Sequence, residues 1–151
     1  MLRYLSTPLK TTKSFSYFVL SRNFSKYFVK SHEWISIEKG VATLGISDYA
    51  QSELGEIVHV DMPKIGDKFK SGDSIGAVES VKTAADIYAP VEGVIGEIND
   101  KLGKTPSLLN SHAESQGWLV KMKVEEEKVQ GELSKMMNEE QYQKYIADLK
   151  K

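Results

Sequence analysis

One lysine, Lys82, stands in a brief polar break between two β-favouring stretches, Gly76-Ala77-Val78-Glu79 and Ala85-Asp86-Ile87-Tyr88. A lysine at a hairpin tip is exposed on a rigid support. Its amine can therefore enter another enzyme's active site while the rest of the chain stays outside. Acylation of one chosen lysine requires that arrangement. A lysine ammonium holds its proton at neutral pH, so a modifying enzyme has to remove it first. The same spacing also describes an ordinary solvated hairpin lysine, and on spacing alone both readings stand.

Other chemistry finds little support. His32-Glu33 begins like a zinc-protease helix, but position 36 is Ser where H-E-x-x-H needs a second His. His59 and His112 have no neighbouring histidine, and cysteine is absent from the chain, so no metal-ligand spacing arises. The same absence excludes a thiol nucleophile and a disulfide framework. No phosphate loop, G-x-G-x-x-G or Ser/His/Asp order is present. The chain is expected to have no catalytic site and no metal.

The elements that must hold Lys82 read as an all-β domain, with short apolar stretches broken by Gly, Pro and Asp. Strands are expected over Trp34–Ile37, Ala42–Ile46, Ile57–Asp61, Ile75–Glu79, Ala85–Tyr88, Val94–Ile98 and Trp118–Val124. Turns fall at Lys39-Gly40, Pro63–Asp67, Ser71–Asp73 and Pro90–Gly93. Ser47 can cap a short internal helix that runs to Leu54 and stops at Gly55. A C-terminal helix starts at Asn138, whose spacing to Gln141 approximates a capping box. Its Tyr142, Tyr145, Ile146 and Leu149 recur at threes and fours, the pattern of a face packed on the barrel or offered to a partner. Glu125–Lys128 reads as a solvated charge run. Met62–Gly66 and Ala89–Gly93 echo each other as Pro-x-x-Gly turns on either side of Lys82, as a quasi-symmetric sandwich would have it.

The 151 residues allow one domain and a tail, and 40% apolar content is enough for one core. The net charge of -1 hides an asymmetry. Residues 1–26 carry five bases and no acid, which leaves 15 bases against 21 acids beyond them, a charge of about −6. An acidic body argues against nucleic-acid binding, which needs clustered Lys and Arg. Residues 1–24 are basic, acid-free and rich in Ser and Thr, the composition of a mitochondrial transit peptide or of a plain basic tail. Arg22-Asn23-Phe24-Ser25 resembles a mitochondrial processing pattern, so a mature domain of residues 25–151 in the matrix is expected. Tyr17–Leu20 is too short to span a bilayer, and no other membrane segment occurs.

Glu79-Ser80-Val81-Lys82 followed by Asp86-Ile87-Tyr88-Ala89-Pro90 and Gly93 resembles the lipoyl-attachment signature of the glycine cleavage H proteins. Further matches are Ser31-His32-Glu33-Trp34, Gly45–Gln51, Leu54-Gly55-Glu56, Val60–Pro63 and Gly117-Trp118-Leu119, in the family's order from Tyr27 to Leu149. The loop Asn110–Gly117 departs from the pattern, because the family usually has a proline after the asparagine. Lys101–Lys104 is also irregular. A biotin carrier would put methionines beside its lysine, where Val81 and Thr83 stand. The lipoyl domains of 2-oxoacid dehydrogenases show Asp-Lys-Ala and flexible linkers, and neither is here.

The resemblance implies a mainly β, flattened barrel-sandwich of the lipoyl/biotinyl type with an internal and a C-terminal helix. It implies a non-catalytic carrier with lipoate joined covalently to Lys82. The carrier would take an aminomethyl group from a pyridoxal-phosphate glycine decarboxylase and hand it to a folate-dependent aminomethyltransferase. A flavin-dependent dihydrolipoamide dehydrogenase would then reoxidise the arm, and lipoylating enzymes would install it. A further role in relaying acyl groups to other lipoyl proteins stays open. Lysine plus lipoyl makes a swinging arm of roughly 14 Å. In the family the loaded arm folds back onto the body, and the matching positions here are Ser31, Glu33 and Asp86. A carboxylate suits a cationic cargo through a charge-assisted hydrogen bond; Glu33 and Asp86 would equally serve to order their own loops.

Overall fold

Apolar and polar side chains alternate along most of the strands, and the alternation decides which face each one buries. In Val120–Lys123, for example, Val120 and Met122 are buried while Lys121 and Lys123 point outward. The computed structural model describes residues 25–150, so the expected leader over residues 1–24 lies outside the described residues. The chain forms β1 (Lys26–Phe28), β2 (Glu33–Glu38), β3 (Val41–Ile46), α1 (Asp48–Leu54), β4 (Ile57–Asp61), β5 (Lys68–Phe69), β6 (Ser74–Ser80) and β7 (Ala84–Tyr88). Then follow β8 (Gly93–Ile98), α2 (Lys101–Lys104), α3 (Leu108–His112), β9 (Val120–Lys123), α4 (Glu126–Leu133) and α5 (Glu139–Leu149).

Among the described residues two antiparallel sheets result, one in the order β1-β2-β3-β9-β8-β5 and the other in the order β4-β6-β7. Ile35, Leu44, Ile95, Val120 and Met122 of the larger sheet share a core with Ile57, Val60, Val78 and Ile87 of the smaller one. This is the expected mainly β barrel-sandwich. A second, smaller core gathers Phe28, Trp34, Tyr142 and Ile146 beneath α5. Trp34 lies against Gly45, its cross-strand partner, and a Cβ there would meet the indole Nε1 at 2.6 Å. The indole N–H donates to the Ala113 carbonyl at 3.0 Å.

The seven expected strands form, most within a residue or so of the expected ends, although β9 starts at Val120 rather than Trp118. Ser47 caps α1 by accepting the Ala50 N–H at 3.1 Å, and Gly55 ends that helix at φ 85. Asn138 and Gln141 make the full capping box of α5. On α5, Tyr142 and Ile146 are buried and Leu149 is exposed.

Several expectations are corrected. The Glu125–Lys128 run is solvated as expected, all four residues being exposed, but it also opens a helix the sequence did not announce, α4, whose Val129 and Leu133 are buried. The doubtful loop after Asn110 is partly helical: α3 ends at His112, and the Gly117 N–H closes the following turn on the His112 carbonyl at 2.7 Å. The irregular Lys101–Lys104 is a single helical turn that buries Leu102. The Pro-x-x-Gly echo does not relate equivalent turns. Gly66 has φ 97 and Gly93 has no positive φ. The matching turns are Lys64–Asp67 and Lys70–Asp73, with Gly66 at φ 97 and Gly72 at φ 93. In each, the aspartate Oδ2 accepts the N–H of the lysine three residues earlier, at 3.0 and 2.8 Å.

Candidate functional site

Lys82 lies in the turn between β6 and β7 and is exposed. Ser80 builds that turn. Its N–H donates to the Thr83 carbonyl at 2.7 Å, and its hydroxyl oxygen accepts the N–H groups of Lys82 at 3.2 Å and Thr83 at 3.1 Å. A serine hydroxyl suits this work because it is short and bonds readily to nearby backbone. Below the turn, Val78 and Ile87 anchor the two strands in the core. From the side, the Val81 N–H donates to the Glu56 carbonyl at 3.0 Å, tying the tip to the corner between α1 and β4.

The Lys82 stem lies across that corner. A Cβ built on Gly55 would sit 3.1 Å from Lys82 Cε and 3.7 Å from Nζ. Among the described residues no hydrogen bond or ion pair engages Nζ. An amine with no partner, on an exposed turn whose backbone is fixed from two sides, fits covalent attachment of a carboxylic cofactor. Acylation there breaks no existing contact of the amine.

Of the three candidate docking residues, the structure brings two together. The Ser31 hydroxyl donates to Glu33 Oε1. Glu33 Oε2 accepts the Tyr88 N–H at 3.2 Å, and the side chain is only 2% exposed. Burial pushes the Glu33 carboxyl above its usual range, against the opposing pull of Ser31 and of the Tyr88 N–H. Asp86 stands apart, exposed on β7. Alternation nevertheless puts Ala84, Asp86 and Tyr88 on one face of β7, so a row runs from the Lys82 turn past Asp86 to the Glu33 corner. Four residues of strand span about 13 Å.

Beside Glu33 is a polar and aromatic cluster that local sequence patterns do not reveal. The Tyr142 hydroxyl lies 2.6 Å from Ser47 Oγ and 2.8 Å from His32 Nδ1, and its ring stacks on Phe28 with centroids 4.3 Å apart. Burial raises the phenol to about 12 and lowers the His32 imidazole. Asn110, the first residue of the loop that departs from the family pattern, holds distant segments together. It bonds to Gln51, Gly55 and Ile57, all more than 50 positions away. No local pattern announces such a role. Away from the hairpin tip, an open groove of about 740 Å³ runs between β5 and α4. No three His, Asp or Glu side chains among the described residues come together as a metal-ligand set. No described helix is long and apolar enough to cross a membrane.

Comparison with known proteins bears on this architecture. The family described as "Glycine cleavage H-protein" matches residues 26–149. The chain is 47% identical over 122 residues to the glycine cleavage system H protein of Thermotoga maritima, covering 81% of this chain and 96% of that one. It is 46% identical over 119 residues to the glycine cleavage system H protein of Alcanivorax borkumensis, covering 79% and 91%. The crystal structure of a glycine cleavage system H protein from Mycobacterium marinum superposes with a TM-score of 0.71 at 27% identity, over 83% of this chain and 99% of that one. The chain belongs to the glycine cleavage H-protein family, and it is a lipoate-bearing carrier of aminomethyl groups rather than a catalyst.

Proposed function

We propose that Lys82 is the residue that bears the lipoyl group. The observation that carries this reading is its unpartnered amine on an exposed turn, whose backbone Ser80 and Glu56 hold. The lipoyl dithiolane supplies the exchangeable sulfurs that a cysteine-free chain lacks. The residues of the chain present the amine, fix the root of the arm and leave its outer length free to move. Peptide mass mapping of the protein from its own cells should place one lipoyl increment on Lys82. A biotinyl increment, or an unmodified Lys82 where lipoylation is active, would end the assignment.

Ser31, Glu33 and Asp86 are the docking positions for the loaded arm. The row along β7 supports this, since its length of about 13 Å matches an arm of roughly 14 Å. Asp86 offers the accessible carboxylate, while Glu33 already accepts from Ser31 and Tyr88. Asp86→Asn should leave lipoylation intact and shorten the lifetime of the cationic cargo on the isolated carrier, whereas Asp86→Glu should restore it. An unchanged lifetime in the Asn variant would show Asp86 to be structural.

The partners of the arm are a pyridoxal-phosphate glycine decarboxylase, a folate-dependent aminomethyltransferase, a flavin-dependent dihydrolipoamide dehydrogenase and the lipoylating enzymes. The carrier works in the mitochondrial matrix, addressed there by residues 1–24 and processed near Phe24/Ser25. The support for the address is the basic, acid-free composition of those residues and Arg22 three places before the cut. Sequencing the N-terminus of the organellar protein tests it; retention of Met1 in the working form would count against it.

A further inference from the structure

We propose that Asn110 is a positioning residue for acylation of Lys82, acting through the corner at Gly55–Ile57. The inference rests on the reading of Lys82 as the attachment site. Three bonds of one side-chain amide carry it. Asn110 Oδ1 accepts the Ile57 N–H at 3.0 Å, and Nδ2 donates to the Gly55 carbonyl at 2.8 Å and to Gln51 Oε1 at 3.0 Å. The amide thus accepts and donates as a neighbouring peptide unit would, at a place where α1 has ended and β4 has only begun.

The consequence falls on the residue in between. With Gly55 and Ile57 both pinned, the carbonyl of Glu56 is fixed, and that carbonyl accepts the Val81 N–H at 3.0 Å. Gly55 itself supplies the bare surface on which the Lys82 stem rests. Its φ of 85 and ψ of -153 suit glycine, so the corner keeps this shape without strain. Asn110 is in turn steadied by α3, whose Leu109 is fully buried. A connected path therefore runs from the core through α3 and Asn110 to the root of the arm, independent of the strands of the hairpin.

Position matters because the amine has to meet an activated acyl carbon at near-contact distance. The Nζ lone pair forms the amide bond to the lipoyl carbonyl of an acyl-adenylate. The ammonium gives up one proton to a base to free that lone pair; as the bond from the carbonyl to the phosphate oxygen breaks and AMP departs, a second proton leaves the nitrogen to a base. No oxidant or reductant takes part. A displacement of about 1 Å in such a geometry costs up to about a hundredfold in rate.

The test is steady-state transfer of lipoyl from lipoyl-adenylate, by a lipoate ligase, to the full-length lipoyl-free protein. Asn110→Ala should lower kcat by about tenfold or more and leave KM within about twofold, because the docking surface is intact and only the amine wanders. Hydrogen exchange at the Val81 amide should quicken, while the core amides of Leu44 and Val120 stay protected. Should the alanine variant fail to fold, Asn110→Asp keeps the Ile57 bond, loses both donors and should show the same split. Gln51→Ala, which removes one of the three bonds, should have a smaller effect of the same kind. Unchanged kcat with Lys82 labelled, or loss of protection spread equally over Leu44 and Val120, would overturn the proposal. Wild-type protein labelled on a different lysine would instead overturn the Lys82 assignment on which the proposal rests.

Discussion

The Lys82 turn and the Glu33–Tyr142 corner handle reactive groups in opposite ways. At the turn, an amine stands exposed and unpartnered, while the backbone beneath it is held by Ser80 and Glu56. At the corner, a carboxyl, an imidazole and a phenol are each engaged by neighbours, the carboxyl and phenol buried and the imidazole half-buried. The turn leaves its amine without a side-chain partner, as the proposed modification requires; the corner uses polar groups to join β2, α1 and α5 around the small core. Reactivity therefore depends on partners as much as on residue type, and the same protein carries both arrangements.

That contrast can be broken most sharply at Lys82. Lys82→Arg keeps charge and approximate bulk but cannot form the amide, so glycine cleavage supported by the carrier should fall to background. The melting temperature should stay within about 2 °C, because an exposed tip contributes little to packing. Appreciable carrier activity in this variant would place the arm elsewhere.

Tyr142→Phe should do the reverse. It deprives Ser47 and His32 of a shared hydroxyl partner, for a cost of about 1–3 kcal/mol in stability measured by denaturant unfolding. Lipoylation should not change. The raised phenol adds a signature at high pH. Its folded-state value lies above the ordinary one, so the stability it contributes is present below about pH 10 and lost as pH climbs towards 12. Parent protein should lose stability across that window more steeply than the Phe variant does. Parallel curves would remove the buried phenol from the account.

Glu33 sharpens the comparison at acid pH. Burial raises its carboxyl, so the folded state holds the proton more tightly than the unfolded chain. The associated stability is full below the ordinary value of 4.5 and declines as pH rises through the raised one. Glu33→Gln removes that decline and still offers an acceptor to Tyr88 and a donor to Ser31. Its melting temperature at pH 7 should equal or exceed that of the parent. A drop of more than about 4 °C, roughly 1 kcal/mol for a domain of this size, would mean that the charge itself holds the corner together.

The smallest effect belongs to the exposed pair Lys128–Glu125, 3.5 Å apart at the start of α4. Lys128→Ala should change stability by less than about 0.5 kcal/mol. A larger loss would assign α4 a role beyond covering the core with Val129 and Leu133.

Much of the framework was legible in the sequence because it is local. Short apolar stretches broken by Gly, Pro and Asp marked seven strands, Ser47 and Gly55 bracketed α1, and the Asn138–Gln141 spacing announced the last helix. The short elements β1, β5, α2, α3 and α4 escaped, since two to eight residues give too little periodicity to separate from a turn or a charge run. The position of Lys82 was equally readable, as one lysine in a polar break between two β stretches.

The sequence by itself determined seven of the extended segments, the two ends of α1, the start of α5, and which lysine stands at the tip. Only the tertiary structure decided what becomes of the polar side chains. Glu33 meets Tyr88 from 55 positions away, Tyr142 meets Ser47 from 95, and Asn110 reaches Ile57 from 53. A periodic pattern reports how one element divides its own faces between core and water. Hydrogen bonds between elements depend on how sheets and helices are placed relative to one another, and the packing of the whole core sets that placement.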